Sequence, residues 1–198
     1  MIKDELHLAH VLQEQLAPAF NKVYTNINLA SNRFYPHWRE WFGEPLPSAQ
    51  PQIDILLVDK ALWLLSAEIK FFRKTKRNQT SHPFYTGIDE ALALLRFGFQ
   101  VVSLWHFFDE ALGAEEAMKN YRSCSSLIGT LDLPLNYEAY WMTDADTYVS
   151  FYQFSQFGIS DERCLPNAYG KSNPLKSNID AQRIQDILRA VLRIPHQR

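Results

Sequence analysis

Two apolar β-runs follow one another between residues 51 and 74, in the sequence PQIDILLVDKALWLLSAEIKFFRK, and charged side chains interrupt them. Ile, Leu, Val and aromatic residues on either side of a polar pair at 59–60 predict two neighbouring strands joined by a turn. The interrupting charges are Asp54, Glu68 and Lys70. Such groups are costly to bury unless they are paired, hydrogen-bonded or bound to a metal. This stretch therefore constrains both the fold and the chemistry of the chain.

Alternation along a strand places Glu68 and Lys70 on one face, while Ile69 and Phe71 face the other way, into a core. Asp54 and Glu68 could gather a hard cation beside a lysine that meets an anionic oxygen, which indicates a phosphodiester-cleaving site. The alternative is a salt bridge on a half-exposed sheet face, with Asp54 at a strand entrance. A bare Asp…Glu-x-Lys match is common by chance.

The pattern resembles the PD-(D/E)XK nuclease superfamily, which has the restriction-endonuclease-like fold. The resemblance rests on Asp54, thirteen intervening residues and then Glu68-Ile69-Lys70, and it covers about residues 3–108. One position departs from the family pattern, because Pro51 stands three residues before Asp54 instead of directly before it. The resemblance implies an α/β fold with an αβββαβ core, in which helices flank a central mixed sheet.

The resemblance also implies a metal-dependent site. Asp54 and Glu68 would each offer a carboxylate oxygen to Mg²⁺, with Mn²⁺ as a substitute, and the backbone carbonyl of Ile69 would add a ligand. Mg²⁺ takes few ligands from a protein and keeps several waters. Lys70 would orient the attacking water or stabilise charge on the phosphate, and the sequence leaves both roles open.

Two helices are implied to contribute further residues. An acidic ligand often comes from the first helix, where Glu5 falls within the apolar stripe and Glu14 points nearly opposite it. Glu5 is therefore preferred, although an acidic residue in a first helical turn is favourable in itself. Glu90 and Tyr85, in and just before the helix after the basic loop, are weaker candidates, since a solvated position is the alternative for Glu90.

A basic cluster begins at Lys70 and leads away from it. A nucleic-acid backbone that passes the metal would meet these charges, although a solvated loop is the alternative. The cluster consists of Lys70, Arg73, Lys74, Lys76 and Arg77.

The composition predicts a soluble globular protein. The chain has 198 residues, of which 46% are hydrophobic and 21% charged, so disorder is not expected. The net charge of −2 is unlike that of most nucleic-acid binders, so binding would depend on local positive charge.

Cys124 and Cys164 lack metal or redox spacing, and the charged start MIKDELHLAH is not a signal peptide. We therefore expect a cytoplasmic protein with reduced thiols and no membrane segment.

The sequence pattern predicts one domain over residues 1–198. The resemblance implies that this domain is nuclease-like, with a core over about 3–108 and a C-terminal extension over about 109–198. The segment 33–43 is ambiguous between a strand and an ordered loop. Residues 22–30 are predicted to form a strand or a hairpin. The other predictions are helices over 4–17, 86–98, 113–128 and 179–194, strands near 53–59, 61–72, 99–108, 137–143 and 147–158, and loops over 43–51, 73–83 and 165–178.

Together these features predict a Mg²⁺-dependent nuclease that acts on nucleic acid, with DNA favoured over RNA. A homodimer would suit the cutting of both strands of a duplex. The alternatives are a catalytically inactive restriction-fold module that binds nucleic acid or a protein partner, and a structural domain with simple salt bridges. His106, at the end of a core strand, and His37 and His82, in loops, show no ligand spacing and are expected in core or surface roles.

Overall fold

Strands that follow one another in the chain are also neighbours in a single mixed sheet. The computed structural model describes residues 2–42, 52–74, 81–145 and 148–196. No helix within these ranges is both long and apolar enough to cross a membrane. The strands are β1 (Lys22–Asn28), β2 (Gln52–Val58), β3 (Leu64–Phe72), β4 (Val101–Asp109), β5 (Asn136–Ala145), β6 (Tyr148–Ser155) and β7 (Gly158–Cys164). The helices are α1 (Glu5–Leu16), α2 (Tyr35–Phe42), α3 (Ile88–Leu94), α4 (Ala114–Thr130) and α5 (Ile179–Leu192), with short 3₁₀ helices at Leu95–Phe97 and Glu110–Leu112.

Strand β4 runs parallel to both of its neighbours, β3 and β5, and the other neighbouring strands pair antiparallel. Every residue of β3 is buried, as are all but the last of β4, because helices cover both faces of the sheet at these strands. The predicted α/β class, with a mixed sheet flanked by helices, is confirmed. From α1 to β4 the element order is αβββαβ, with helix α2 added between β1 and β2.

Helix α1 covers one face of the sheet through its predicted stripe. Leu8, Leu12 and Leu16 are buried and share an apolar cluster with Ile69 and Phe71 of β3. The predicted direction of these two β3 side chains is therefore confirmed, and Glu68 and Lys70 leave the strand on the opposite face.

Helices α3 and α5 cover that opposite face. Leu94 and Leu188 share a second apolar cluster with Leu56 of β2 and Leu104 of β4. Helix α3 passes into a 3₁₀ turn that ends at Gly98, whose φ of 69° is the left-handed conformation expected of a helix-terminating glycine. The prediction that Gly98 ends this helix is confirmed.

The segment 33–43 is neither of the two alternatives that its sequence suggested, because residues 35–42 form helix α2. Pro36 lies in the first turn, where a missing N–H leaves no helical hydrogen bond unmade. Arg33, just before the helix, donates to the carbonyl oxygen of Val191 in α5. His37 accordingly lies in a helix and not in a loop.

Strand β7 has no counterpart among the predicted elements. Its sequence, GISDERC, is mostly polar because the strand lies at the edge of the sheet and is largely exposed. The other predicted helices and strands are confirmed. The predicted loop at 43–51 lies outside the described residues, as does the part of the basic loop from 75 to 80.

Candidate active site

The two predicted carboxylates lie where β2 and β3 separate. The antiparallel pairing of these strands ends at Ile55 and Ala67, and Asp54 and Glu68 are the next residues along each strand. At this point the carboxylate of Asp54 replaces the backbone ladder, because its Oδ2 accepts the N–H of Ile69 at 3.0 Å. The structure therefore brings Asp54 and Glu68 together at the point where the β2–β3 pairing ends.

Lys70 lies among three carboxylates. Its Nζ is 2.8 Å from Glu68 Oε1, 2.7 Å from Glu90 Oε2 and 4.0 Å from Glu5 Oε2. Glu68 and Lys70 are buried, at 2% and 7% exposure. Glu90 reaches the ammonium from α3 and Glu5 from α1, and both side chains remain about one-third exposed. Glu5 and Glu90, two predicted candidates from distant parts of the sequence, thus lie close to Lys70.

Burial and neighbouring charges control the protonation of Glu68 and Lys70. Loss of water raises the pKa of Glu68 to about 9, and the charge of Asp54 acts in the same direction, whereas Lys70 opposes the shift. Burial lowers the pKa of Lys70, but Glu68, Glu90 and Glu5 together raise it by more, and the pKa ends above its ordinary value. Lys70 therefore stays charged at neutral pH, while Glu68 holds its proton more tightly than an exposed carboxyl.

The residues fit one hard cation that takes few ligands from the protein. Oε2 of Glu68 is buried and has no hydrogen-bond partner, and Asp54 is close enough to raise the pKa of Glu68. Within the described ranges, no three His, Cys, Asp or Glu side chains are arranged to hold a metal ion. Two carboxylates with waters in the remaining positions are a donor set that Mg²⁺ accepts.

Glu5 reaches the sheet and Glu14 does not. Oε1 of Glu5 accepts the N–H of Phe71 at 3.1 Å, whereas Glu14 is exposed. Helix α1 begins with Asp4 as its cap, whose side chain accepts the N–H of His7 at 2.8 Å, and this fixes the first turn that carries Glu5. The predicted orientation of the helix is confirmed, and a metal-binding role for Glu5 stays a prediction.

The basic segment brings one arginine to the site. Nη1 of Arg73 donates to the carbonyl of Lys3 at 2.7 Å. Lys74 is exposed, and Lys76 and Arg77 lie outside the described residues. Tyr85 is 54% exposed on the segment before α3.

An open cleft of about 630 Å³ borders Asp54 and contains residues that the sequence did not predict as part of a site. Three of them carry amides, namely Asn26, Asn28 and Gln52. A fourth is His82, whose Nε2 is 3.9 Å from Glu5 Oε1. Asn26 and Asn28 are two apart in β1, a spacing that indicates a shared polar face but not its closeness to Asp54. The other lining residues are Asp4, Glu5, Leu6, Asp54, Phe71 and Arg73.

His106 is a core residue, in agreement with the sequence prediction. Its ring is fully buried, with Nε2 3.0 Å from the carbonyl oxygen of Thr86 and Nδ1 3.2 Å from the hydroxyl of Tyr137. Burial lowers its pKa to about 3, so the imidazole is neutral.

Gly87 is packed against the motif lysine. Its φ is 87°, and a Cβ there would lie 2.9 Å from Cε and Cγ of Lys70 and from Cδ1 of Leu104. We expect Gly87→Ala to lower the free energy of unfolding by about 2 kcal/mol, because left-handed backbone strain and the clash act together. The change should also displace Lys70 from Glu68. Denaturant titration measures the loss of stability, and NMR chemical shifts of the Lys70 side chain measure the displacement.

Gly129→Ala is the matched control. Gly129 lies in α4, where an added Cβ would meet nothing within 4 Å. This change should raise stability by about 0.5–1 kcal/mol, since alanine favours a helix more than glycine does. Equal stability of Gly87→Ala and the wild type would contradict the close packing described for Lys70.

No family model and no curated protein matches this chain. Among solved structures, it is similar to SfsA from Pyrococcus furiosus, determined in complex with Ca²⁺, with 13% sequence identity and a TM-score of 0.37. The match covers 78% of this chain and 61% of that one. This chain thus spans about three fifths of the length of the protein that it matches. Likeness at this level does not place the chain in a family.

Proposed function

We propose that this protein is a Mg²⁺-dependent nuclease that hydrolyses phosphodiester bonds of nucleic acid, with DNA as the favoured substrate. The observation that carries the proposal is the buried carboxylate of Glu68. It has one unpartnered oxygen, a charged lysine on the other oxygen and Asp54 beside it. A structural salt bridge would satisfy both oxygens, whereas Glu68 keeps one without a partner, and the neighbouring Asp54 lines an open cleft.

Each residue has a distinct role in the proposed reaction. A bound Mg²⁺ would polarise the scissile phosphate and lower the pKa of a water. Asp54 and Glu68, with the Ile69 carbonyl, would hold that cation. Lys70, fixed by Glu68 and Glu90, would place a positive charge beside the phosphate as negative charge develops there. Arg73 would contact a phosphate along the cleft.

Metal dependence is the direct test. We expect the purified protein to cleave DNA with Mg²⁺ or Mn²⁺ and to stop when EDTA removes the metal. Asp54→Asn should abolish both the cleavage and the rise in melting temperature that Mn²⁺ produces in the wild type, because stabilisation by a ligand requires binding. Asp132→Asn is the control, since Asp132 forms an exposed pair with Lys171. Failure to cut any form of DNA or RNA would refute the proposal.

The second candidate is a restriction-fold module that binds nucleic acid or a protein partner without cutting it. Within this candidate, the charge of the cleft favours a protein partner over nucleic acid, because three carboxylates, from Asp4, Glu5 and Asp54, outnumber the guanidinium of Arg73. This candidate predicts no change in melting temperature with Mn²⁺ in either the wild type or Asp54→Asn.

A further inference from the structure

Asn26 adopts a backbone conformation that is unusual inside a strand. Its φ is 53°, in the left-handed region. In the described parts of the chain, the other non-glycine residues with positive φ are Leu62, Asp132 and Arg193. Leu62 lies between β2 and β3, and the other two follow the ends of α4 and α5, where such conformations are common. Asn26 lies within β1, so its conformation needs a different explanation.

The irregularity coincides with Asp54. The β1–β2 pairing is intact on both sides, at Thr25–Ile55 and Ile27–Ile53, but it omits the pair Asn26–Asp54. Asp54 thus lies at an irregularity on both sides of β2. Its pairing with Asn26 of β1 is missing, and toward β3 its carboxylate, not its backbone, accepts a hydrogen bond. Unusual backbone conformations that persist beside a site are often part of its function.

The side chain of Asn26 is only partly satisfied. Its Nδ2 is buried and has no hydrogen-bond partner, and its Oδ1 accepts a long bond of 3.5 Å from Gln52 Nε2. Gln52 Nε2 is also 3.3 Å from Asp54 Oδ1. The two amides therefore form one polar group with Asp54 on the wall of the cleft.

Neutral amides suit this wall for an electrostatic reason. A lysine or arginine here would pair with Asp54 and compete with a cation for the carboxylate. An amide donates to an oxygen of the substrate without neutralising the carboxylate.

We propose that Asn26, supported by Gln52, is a substrate-positioning residue whose amide hydrogen-bonds the nucleic-acid strand next to the phosphate held at Asp54. This inference rests on the proposed function. The competing explanation is that Asn26 only builds the irregularity in β1, for which asparagine is among the better-suited residues. Glycine separates the two explanations, because it adopts the same φ without strain and removes the amide.

The experiment compares the wild type, Asn26→Gly and Asn26→Asp. Asn120→Ala is the control, because it removes an amide that donates within α4, to the carbonyl of Glu116. Binding of labelled single-stranded DNA homopolymers is measured by fluorescence anisotropy, the Mn²⁺ response by thermal shift, and cleavage as separate kcat and KM values.

We expect Asn26→Gly to keep the Mn²⁺ response, to bind DNA about tenfold more weakly and to raise KM more than it lowers kcat, as for loss of one or two hydrogen bonds. Asn26→Asp, which keeps the shape but adds repulsion, should bind still more weakly. A loss that is equal for all homopolymers supports a contact with the sugar-phosphate backbone, and an unequal loss supports a contact with a base edge.

Two outcomes overturn the inference. If the wild type binds DNA and Asn26→Gly binds it equally well, the amide has no positioning role and the proposed function stands. If the wild type neither binds nor cuts nucleic acid, both proposals fall. If Asn26→Gly folds poorly, the test uses Asn26→Asp, because aspartate also tolerates a positive φ. Wild-type DNA affinity in folded Asn26→Asp would refute the contact.

Discussion

Lys70→Met is expected to reduce cleavage by about 100-fold or more and to lower the free energy of unfolding by about 3 kcal/mol. The methionine keeps most of the apolar stem, so the change removes mainly the ammonium group. That group lies between Glu68 and Glu90, and its loss removes the hydrogen bond that Lys70 donates to the buried Glu68 side chain. Cleavage is measured in single turnovers, and stability by denaturant titration.

The loss of stability should depend on pH. Without Lys70 the pKa of Glu68 rises further, because the opposing charge of the lysine is gone. Below about pH 9 the carboxyl is protonated in both proteins, so the variant should lose the same stability at pH 5 and at pH 8, and lose more at pH 10, where the wild type ionises Glu68 beside Lys70. A loss that does not grow between pH 8 and pH 10 would mean that Glu68 does not depend on Lys70.

Lys171→Met is the matched control. Nζ of Lys171 is 2.9 Å from Asp132, as close as the buried pair, but the two side chains are 52% and 92% exposed. Exposed pairs contribute at most about 1 kcal/mol, so this variant should resemble the wild type in stability and in cleavage. A large effect here would show that the assays respond to any loss of lysine charge.

Local periodicity was sufficient to predict the orientation of the side chains at the centre of the candidate site. Alternation placed Glu68 and Lys70 opposite Ile69, and the helical period selected Glu5 over Glu14. Both are properties of a single strand or helix, so they can be calculated before the elements are assembled. The structure bears out both orientations.

The contacts between distant segments could not be predicted in this way. Glu90 meets Lys70 because α3 packs against β3 and β4, and no residue near Glu90 in the chain indicates this contact. The conformation of Asn26 depends on where β1 and β2 lose their pairing, which no single-strand pattern encodes. Strand β7 was missed because an exposed edge strand needs no apolar alternation.

Glu68→Gln should make the metal-free protein more stable at neutral and alkaline pH while it abolishes most of the cleavage. The pKa of Glu68 lies at about 9 in the folded protein, above its ordinary value of 4.5, because burial disfavours the charged form. The proton bound by the folded state therefore contributes its full stabilisation below about pH 4.5, and this contribution is lost as the pH rises toward 9. Glutamine does not titrate, so the variant lacks this loss.

The difference in stability between Glu68→Gln and the wild type should consequently grow with pH, by up to about 1.4 kcal/mol for each pH unit in that interval. Lys70 does not reverse the trend, because a raised lysine pKa affects stability only at more alkaline pH. Denaturant titrations in EDTA at pH 5, 7 and 8.5 measure the slope, and the same titrations with Mg²⁺ should restore stability to the wild type alone, since only its carboxylate can bind the cation. A wild type as stable at pH 8.5 as at pH 5, without metal, would mean that Glu68 is already satisfied in the folded chain. It would then be one half of a structural salt bridge, and not an acid held ready for a metal.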